Sequence, residues 1–191
     1  MPPYRQLIVF LEGGLLLGGD KQTCPGFRIA PMPCYLFTYH AYGSWLPDHA
    51  EGYVHWKEGQ QPPDDNLGDS YRRNMTQEEA EFGEPLQLLL IAELKTAARF
   101  QRFRLHAVAT ELSHVHALAS WPDDRSPSRM NESMKKSLTI RLKKQVTERT
   151  WFSKGGNERH VEDLEHFEYL MTEYLPSHSG WKWDERRGEY R

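Results

Sequence analysis

The 191-residue sequence has few cysteines, no long apolar run and little net charge. Its two cysteines, Cys24 and Cys34, cannot build a disulfide framework, and their spacing does not match a zinc-binding CxxC pair. Without an apolar run long enough for a membrane span, we expect a cytoplasmic protein with no membrane partner. The sequence also lacks a glycine-rich phosphate loop, a GxSxG elbow and an HExxH pair, which excludes those nucleotide-binding, hydrolase and protease motifs.

The net charge of −3 is an average over two very different segments. Residues 48–84 carry ten acidic and three basic side chains, whereas residues 126–149 carry seven basic and two acidic ones. A polyanion responds to the field within about 10 Å, the Debye length, so a basic helix can bind nucleic acid on a protein with little net charge. An ordinary solvated helix face would give the same pattern, so both interpretations stay open.

The chain divides into three parts by composition. We expect residues 1–31 to be an N-terminal extension outside the fold, because a second methionine, Met32, directly precedes the first strand pattern. Residues 32–183 then form the folded domain, and residues 184–191 form a short tail of mixed charge.

The hydrophobic pattern predicts an alternation of strands and helices. Strands are predicted over residues 34–42, 104–112 and 114–121, with a short strand or loop over 151–161. Helices are predicted over residues 84–103, 128–147 and 161–175, and a polar insertion at 43–83 holds one helical turn near 76–81. This order matches the split βαβ plan of a ferredoxin-like α+β sandwich, with an antiparallel sheet, helices on one face and a long insertion after the first strand.

His114 and His116 form the sharpest local motif. Residues two apart in a strand point to the same side, so both imidazoles project together while Val115 faces the other way. Two neutral imidazoles can bind one divalent metal ion and leave positions open for oxygen ligands. Because the chain has nine histidines, such a pair also arises readily by chance, and the motif alone is weak.

Tyr174 and His178 lie four residues apart on the last predicted helix, a spacing that places them on one helical face. A phenol, whose ordinary pKa is about 10, can attack a phosphodiester when a metal ion neutralises the developing charge. Pro176 is expected to kink the helix between them, which leaves their geometry open. Taken alone, Tyr174 is more simply interpreted as a half-buried aromatic residue with no chemical role.

Three segments in order complete a recognisable pattern: Thr38-Tyr-His-Ala-Tyr-Gly-Ser-Trp-Leu-Pro47, the HxH strand, and the closing Tyr174-Leu-Pro-Ser-His-Ser-Gly180. This pattern resembles the HUH-superfamily single-tyrosine transposases, which are the small insertion-sequence transposases and the REP-associated tyrosine transposases. The resemblance covers roughly residues 32–183 and is weakest in the acidic insertion.

The resemblance implies an enzyme that cuts and rejoins single-stranded, hairpin-forming DNA through a covalent 5′-phosphotyrosine. It implies Mg²⁺ or Mn²⁺ as cofactor and a homodimer as the assembly. By position in the pattern, His114 and His116 correspond to metal ligands and Tyr174 to the nucleophile. His178 stands where family members often have Asn or Gln as a third ligand.

Two other functions and a second tyrosine stay open at this stage. The chain could be a replication-initiator-like nicking enzyme of the same superfamily, or a domesticated or inactive nucleic-acid-binding module of the same fold. Tyr169 and Glu173 form a competing tyrosine–carboxylate pair, although the closing motif favours Tyr174. The expected contacts to DNA phosphates are Lys135, Lys136, Arg141 and Arg159.

Overall fold

The structure is a computed structural model, and it describes residues 32–50, 52–55 and 57–191. The predicted N-terminal extension, residues 1–31, lies outside the described residues. None of the helices within the described ranges is long and apolar enough to cross a membrane. In chain order the elements are β1 (Cys34–His40), β2 (Tyr53–His55), β3 (Gly59–Gln61), α1 (Asp65–Asn74), α2 (Glu84–Gln101), β4 (Arg104–Thr110), β5 (His114–Ser120), α3 (Pro127–Gln145), β6 (Asn157–His160), α4 (Leu164–Tyr169), a π-helical turn (Leu170–Tyr174), β7 (Lys182–Asp184) and β8 (Gly188–Tyr190).

Strands β1, β4, β5 and β6, together with helices α2 and α3, form the predicted ferredoxin-like core. These strands lie in the order β6-β1-β5-β4, and each neighbouring pair is antiparallel. Each of the two main helices connects strands that are not direct neighbours, as the split βαβ plan requires. The predicted α+β sandwich is confirmed.

One face of the sheet carries the main apolar core, which we call the helix face. Phe37 of β1 and Val115 of β5 are fully buried there, beneath Leu94 of α2 and Met134 and Leu138 of α3. Burying a side chain of this size contributes about 1.5–3 kcal/mol. The helix face therefore provides most of the apolar stabilisation of the domain.

The opposite face, which we call the site face, is covered by α4 and the π-helical turn. Leu36 of β1 and Leu118 of β5 form an apolar strip on which Leu170 and Leu175 pack. The prediction of helices on one face is thus correct for α2 and α3 and wrong for α4. The physical reason is that strand alternation also points Leu36 and Leu118 to the second face. An apolar strip there has to be covered by another element, and α4 with the π-helical turn covers it.

The π-helical turn follows from the spacing of two leucines. Leu170 and Leu175 are both about 1% exposed, and the Leu175 N–H donates to the Leu170 carbonyl at 3.0 Å. In a regular α-helix, residues five apart point about 140° away from each other, so both could not face the sheet. The wider turn brings them into line and buries both.

The insertion between β1 and α2 is more regular than predicted. β2 and β3 pair as a small hairpin, and α1 begins where the Asp64 carboxylate accepts the Leu67 N–H at 2.9 Å. The prediction of a helical turn near residues 76–81 is wrong. The chain there is bent or extended, and the Ala80 N–H donates to the Tyr42 carbonyl instead of to a helical neighbour.

A C-terminal hairpin extends the sheet past β4. β7 pairs with β4 and β8 pairs with β7, so the boundary predicted between residues 183 and 184 falls inside a strand. The buried Asp184 carboxylate stabilises the hairpin turn by accepting the Arg187 side chain at 2.6 Å and the backbone N–H groups of Arg186 and Arg187. Residues 184–190 therefore belong to the sheet.

Candidate active site

The two histidines of β5 lie on the site face, because Val115 between them points into the helix-face core. His116 is opposite Thr38 of β1 in the strand register, and His114 is opposite His40. The Thr38 hydroxyl and His116 Nδ1 are 2.8 Å apart. Polar side chains therefore run along neighbouring strands at one end of the site face.

His178 joins the two strand histidines from the turn that follows the π-helix. Ring centroids are 4.7 Å apart for His114–His116 and His116–His178, and 5.5 Å apart for His114–His178. The potential ligand atoms of the three residues lie within 4.8 Å of one another. Within the described ranges this is the one group of three or more side chains that could hold a metal ion.

Hydrogen bonds at the Nδ1 atoms orient all three imidazoles. His178 Nδ1 lies 2.9 Å from the Tyr174 carbonyl, which can only accept, so Nδ1 carries the proton and Nε2 keeps its lone pair. His114 Nδ1 lies 2.9 Å from the Ser113 hydroxyl, as His116 Nδ1 lies against Thr38. Partners of this kind fix the tautomer and the ring orientation of metal-binding histidines.

Burial keeps His116 neutral. Desolvation, followed by the nearby His114, His178 and His40 side chains, lowers the pKa of His116 to about 2. Neutral imidazole is the form that binds a metal ion. The site therefore presents a ligand-ready His116 throughout the physiological pH range.

Tyr174 places its hydroxyl beside the cluster in the same chain. The Tyr174 hydroxyl and His116 Nε2 are 3.4 Å apart, and the ring centroids of Tyr174 and His178 are 5.1 Å apart. Pro176 does not separate Tyr174 from His178, because the chain leaves the π-helix through a turn in which the His178 N–H donates to Leu175. A phenol hydroxyl and three potential ligands therefore meet at one point.

Lys182 secures the backbone of His178. Its side chain lies on the site face of β7, opposite Ala109, and is only 4% exposed. The Lys182 ammonium donates to the His178 carbonyl at 2.5 Å, and burial lowers the pKa of Lys182. The C-terminal hairpin is thereby tied to the third histidine.

The four basic residues predicted to contact DNA do not lie together. Lys136 is exposed on α3 and Arg141 pairs with Glu93 of α2 at 3.5 Å, so both are on the helix-face side of the sheet, away from the histidines. The Lys135 ammonium donates to the Ser153 carbonyl at 2.5 Å and to the Gly155 carbonyl. Arg159 is exposed on β6 opposite Leu36, and it alone of the four shares the site face.

The three histidines and Tyr174 predicted from the sequence come together in the structure, but the residues that orient them are not predicted. Thr38 and His40 belong to the opening motif and carry no predicted site role, although the strand register puts both on the same side of the sheet as His114 and His116. Lys182 gave no signal, because its role depends on β7 pairing with β4.

No family model and no curated protein matches the chain. Among solved structures, it is similar to a REP-associated tyrosine transposase bound to a REP hairpin, with 13% identity and a TM-score of 0.42 over 82% of this chain and 70% of that one. It is also similar to a "putative transposase" from Deinococcus radiodurans R1, with 11% identity and a TM-score of 0.44 over 83% of this chain and 100% of that one. Likeness at this level does not bear on activity.

Proposed function

We propose that this chain is a transposase-like enzyme that cuts and rejoins single-stranded DNA, with Tyr174 as nucleophile. The observation that carries the proposal is the 3.4 Å distance between the Tyr174 hydroxyl and His116 Nε2, within a cluster of three histidines. The closing Tyr-Leu-Pro-Ser-His-Ser-Gly motif, which resembles that of the HUH single-tyrosine transposases, supports the same assignment. The hairpin-forming DNA substrate is part of the proposal.

His114, His116 and His178 are the residues that would hold a divalent metal ion. Three imidazoles suit Mn²⁺ better than Mg²⁺, because Mg²⁺ prefers oxygen ligands and keeps its waters. When bound, such an ion polarises a phosphodiester and neutralises charge in the transition state. Of the two ions implied by the resemblance, we therefore favour Mn²⁺.

The chain's own residues prepare the attack. Thr38, Ser113 and the Tyr174 carbonyl hold the three imidazole rings, and Lys182 holds the turn that carries His178. Leu170 and Leu175 anchor the π-helical turn on the sheet, which fixes the position of the Tyr174 ring. Such preorganisation lowers the barrier because the reacting groups are already aligned.

The proposed step exchanges one phosphoester for another. The Tyr174 oxygen forms a bond to phosphorus and loses its proton, while the bond from phosphorus to the 3′ oxygen breaks and that oxygen leaves as a hydroxyl. The product is a 5′-phosphotyrosine. Attack by a 3′ hydroxyl on this linkage reverses the exchange, so rejoining needs no nucleotide cofactor.

The four residues of the proposed site come from one chain. Tyr174, His114, His116 and His178 meet without a residue from a second copy. Homodimerisation, implied by the resemblance, is therefore proposed as an arrangement for holding two DNA ends and is not needed to assemble the reacting groups.

The test is covalent adduct formation on single-stranded hairpin DNA in the presence of Mn²⁺. We expect a protein–DNA band on a denaturing gel when the label is on the 3′ side of the cut, and none when it is on the 5′ side. Peptide mapping by mass spectrometry should place the nucleotide on Tyr174, and Tyr174→Phe should abolish the band while Tyr169→Phe keeps it. Specific DNA binding without an adduct under any divalent metal would instead favour the inactive binding module.

A further inference from the structure

Tyr169 is an exposed aromatic residue directly beside Tyr174. Its side chain is 52% exposed, and its ring centroid lies 6.4 Å from that of Tyr174 at an interplanar angle of 33°. Among the described residues, the other aromatic side chains that are mostly exposed are Tyr71 of α1 and Phe100 of α2. Phe100 lies on α2, which packs on the helix face, and Tyr71 lies on α1 of the insertion, so Tyr169 is distinguished by its ring contact with Tyr174.

We propose that Tyr169 is a stacking subsite for a nucleobase, and that it holds the base next to the phosphodiester presented to Tyr174. The inference rests on the proposed function for its reaction, but base stacking itself can be measured without turnover. Aromatic rings at single-strand sites stack on any of the bases, because every base has a π-face. Tyr169 would thus position the strand without reading its sequence.

The π-helical turn is what aligns the two tyrosines. Tyr169 and Tyr174 are five residues apart, as are the buried leucines Leu170 and Leu175, which follow them by one position. In a regular α-helix the two rings would diverge by about 140°. The hydrogen bond from the Leu175 N–H to the Leu170 carbonyl, at 3.0 Å, widens the turn and sets both rings side by side.

The charge around α4 favours a base over a phosphate at Tyr169. Exposed carboxylates flank it at Glu165, Glu168 and Glu173, and residues 161–181 contain no lysine or arginine. Phosphates are repelled from such a surface, whereas the uncharged ring of a base is not. A strand that lays a base on Tyr169 therefore keeps its phosphates away from these three carboxylates.

Fluorescence of 2-aminopurine tests the subsite directly. The probes are 12-nucleotide oligothymidines with one 2-aminopurine, moved along the strand, and the protein is the full chain carrying Tyr174→Phe so that no cutting occurs. We expect quenching at one or two positions, and Tyr169→Leu should remove that quenching and weaken binding about tenfold. Tyr169→Phe should retain both, because it keeps the ring.

Phe100→Leu is the matched control, since Phe100 is 84% exposed on α2, which packs on the helix face, and should not affect binding. Thermal unfolding of Tyr169→Leu should match that of the parent protein, because the side chain is mostly exposed. Unchanged binding and quenching in Tyr169→Leu, or no binding of the oligothymidines at all, would overturn the stacking subsite. A Tyr169→Phe protein that loses its adduct in an otherwise active chain would instead assign the hydroxyl a chemical role and also overturn it.

The two proposals can fail separately. Adduct formation that is insensitive to Tyr169→Leu leaves the proposed function intact and rejects the subsite. Quenching that depends on Tyr169 in a chain that never forms an adduct keeps the subsite and rejects the nuclease.

Discussion

The two faces of the sheet use the same strands for different purposes. On β5, Val115 and Ala117 point to the helix face and pack among apolar side chains, while His114 and His116 point to the site face. The helix face is covered by two long helices, α2 and α3, and the site face by the short α4 and a π-helical turn. Residues that pack in the core therefore alternate along β5 with residues of the candidate site.

This comparison shows how a small domain can keep imidazoles partly buried without losing its core. Because the helix face holds most of the large apolar side chains, the site face can contain polar groups that are satisfied by specific partners. Changes to the two faces should separate cleanly into effects on stability and effects on activity.

The largest difference between an effect on activity and an effect on stability is expected for the neighbouring residues His116 and Val115. His116→Ala should lower adduct formation by at least about 10³-fold, because it removes a potential metal ligand. Val115→Ala should lower the free energy of unfolding by about 1–3 kcal/mol and leave adduct formation nearly unchanged at temperatures where the protein is folded. Single-turnover adduct assays and urea unfolding measure the two effects, and a large activity loss in Val115→Ala would break the division between the faces.

Lys182 connects the site face to the C-terminal hairpin. Lys182→Met keeps the length of the side chain and removes the donor to the His178 carbonyl, so affinity for Mn²⁺ should fall about 10- to 100-fold, as for other outer-shell partners. Titration calorimetry of the metal-free protein gives this value. Lys95→Met is the matched control, because Lys95 pairs with Glu189 of the same hairpin, at 3.0 Å, without touching the histidines. Equal losses in both variants would mean that only hairpin stability matters.

His106 makes the stability of the site face depend on pH. Burial lowers the pKa of His106 to about 4, although the nearby Glu185 opposes the shift. The unfolded chain binds a proton near the ordinary pKa of about 6.5, which the folded protein resists until about pH 4. Stability should therefore fall as the pH drops below about 6.5, and His106 should contribute about 1–2 kcal/mol of the loss between pH 7 and pH 5.

His106→Gln should reduce that dependence in metal-free protein by about 1–2 kcal/mol, because glutamine does not titrate, while His116 and His40, whose pKa values are also lowered by burial, keep the rest. Unfolding curves at pH 7 and pH 5 give the comparison, with His160→Gln as a control at an exposed position on β6. If the free energy of unfolding falls between pH 7 and pH 5 by as much in His106→Gln as in the unchanged protein, then His106 does not take up the proton.

The smallest effects are expected from the basic side chains. Arg159→Ala on the site face should weaken binding of single-stranded DNA a few-fold and reduce the salt slope by about one, whereas Lys136→Ala on α3, on the helix-face side, should do neither. Fluorescence anisotropy at several salt concentrations measures both. A larger loss of binding in Lys136→Ala than in Arg159→Ala would mean that the DNA binds on the helix-face side.

The sequence was sufficient for the core fold and for each of the two local pairs of the proposed site, because these depend on short-range patterns. The meeting of the two pairs, by contrast, depends on a contact over 58 residues and was expected only from the family resemblance. Strand alternation placed His114 and His116 together, and the spacing from Tyr174 to His178 proposed their proximity. The site face as a whole depends on long-range contacts: α4 covers it through Leu170 and Leu175, which no local pattern assigns to a face.

The dependence on long-range packing also explains why the four predicted DNA contacts do not lie together. The charge count correctly found a basic helix, but it could not show that α3 packs on the far side of the sheet from the histidines. Lys135 likewise reads as a free cation in the sequence, while in the structure it donates to the carbonyls of Ser153 and Gly155. The distribution of charge along the chain predicts a basic binding surface only after the packing of each helix is known.

The site face of one chain holds both the histidine cluster and the proposed nucleophile, Tyr174. A complementation experiment checks this claim by mixing His116→Ala protein with Tyr174→Phe protein, with single-stranded hairpin DNA, Mn²⁺ and a denaturing gel. The 3.4 Å distance within one chain predicts that neither variant forms an adduct alone and that the mixture forms none either, while the unchanged protein does. An adduct restored by mixing would show that Tyr174 of one copy acts in the histidine cluster of another, and would contradict the claim.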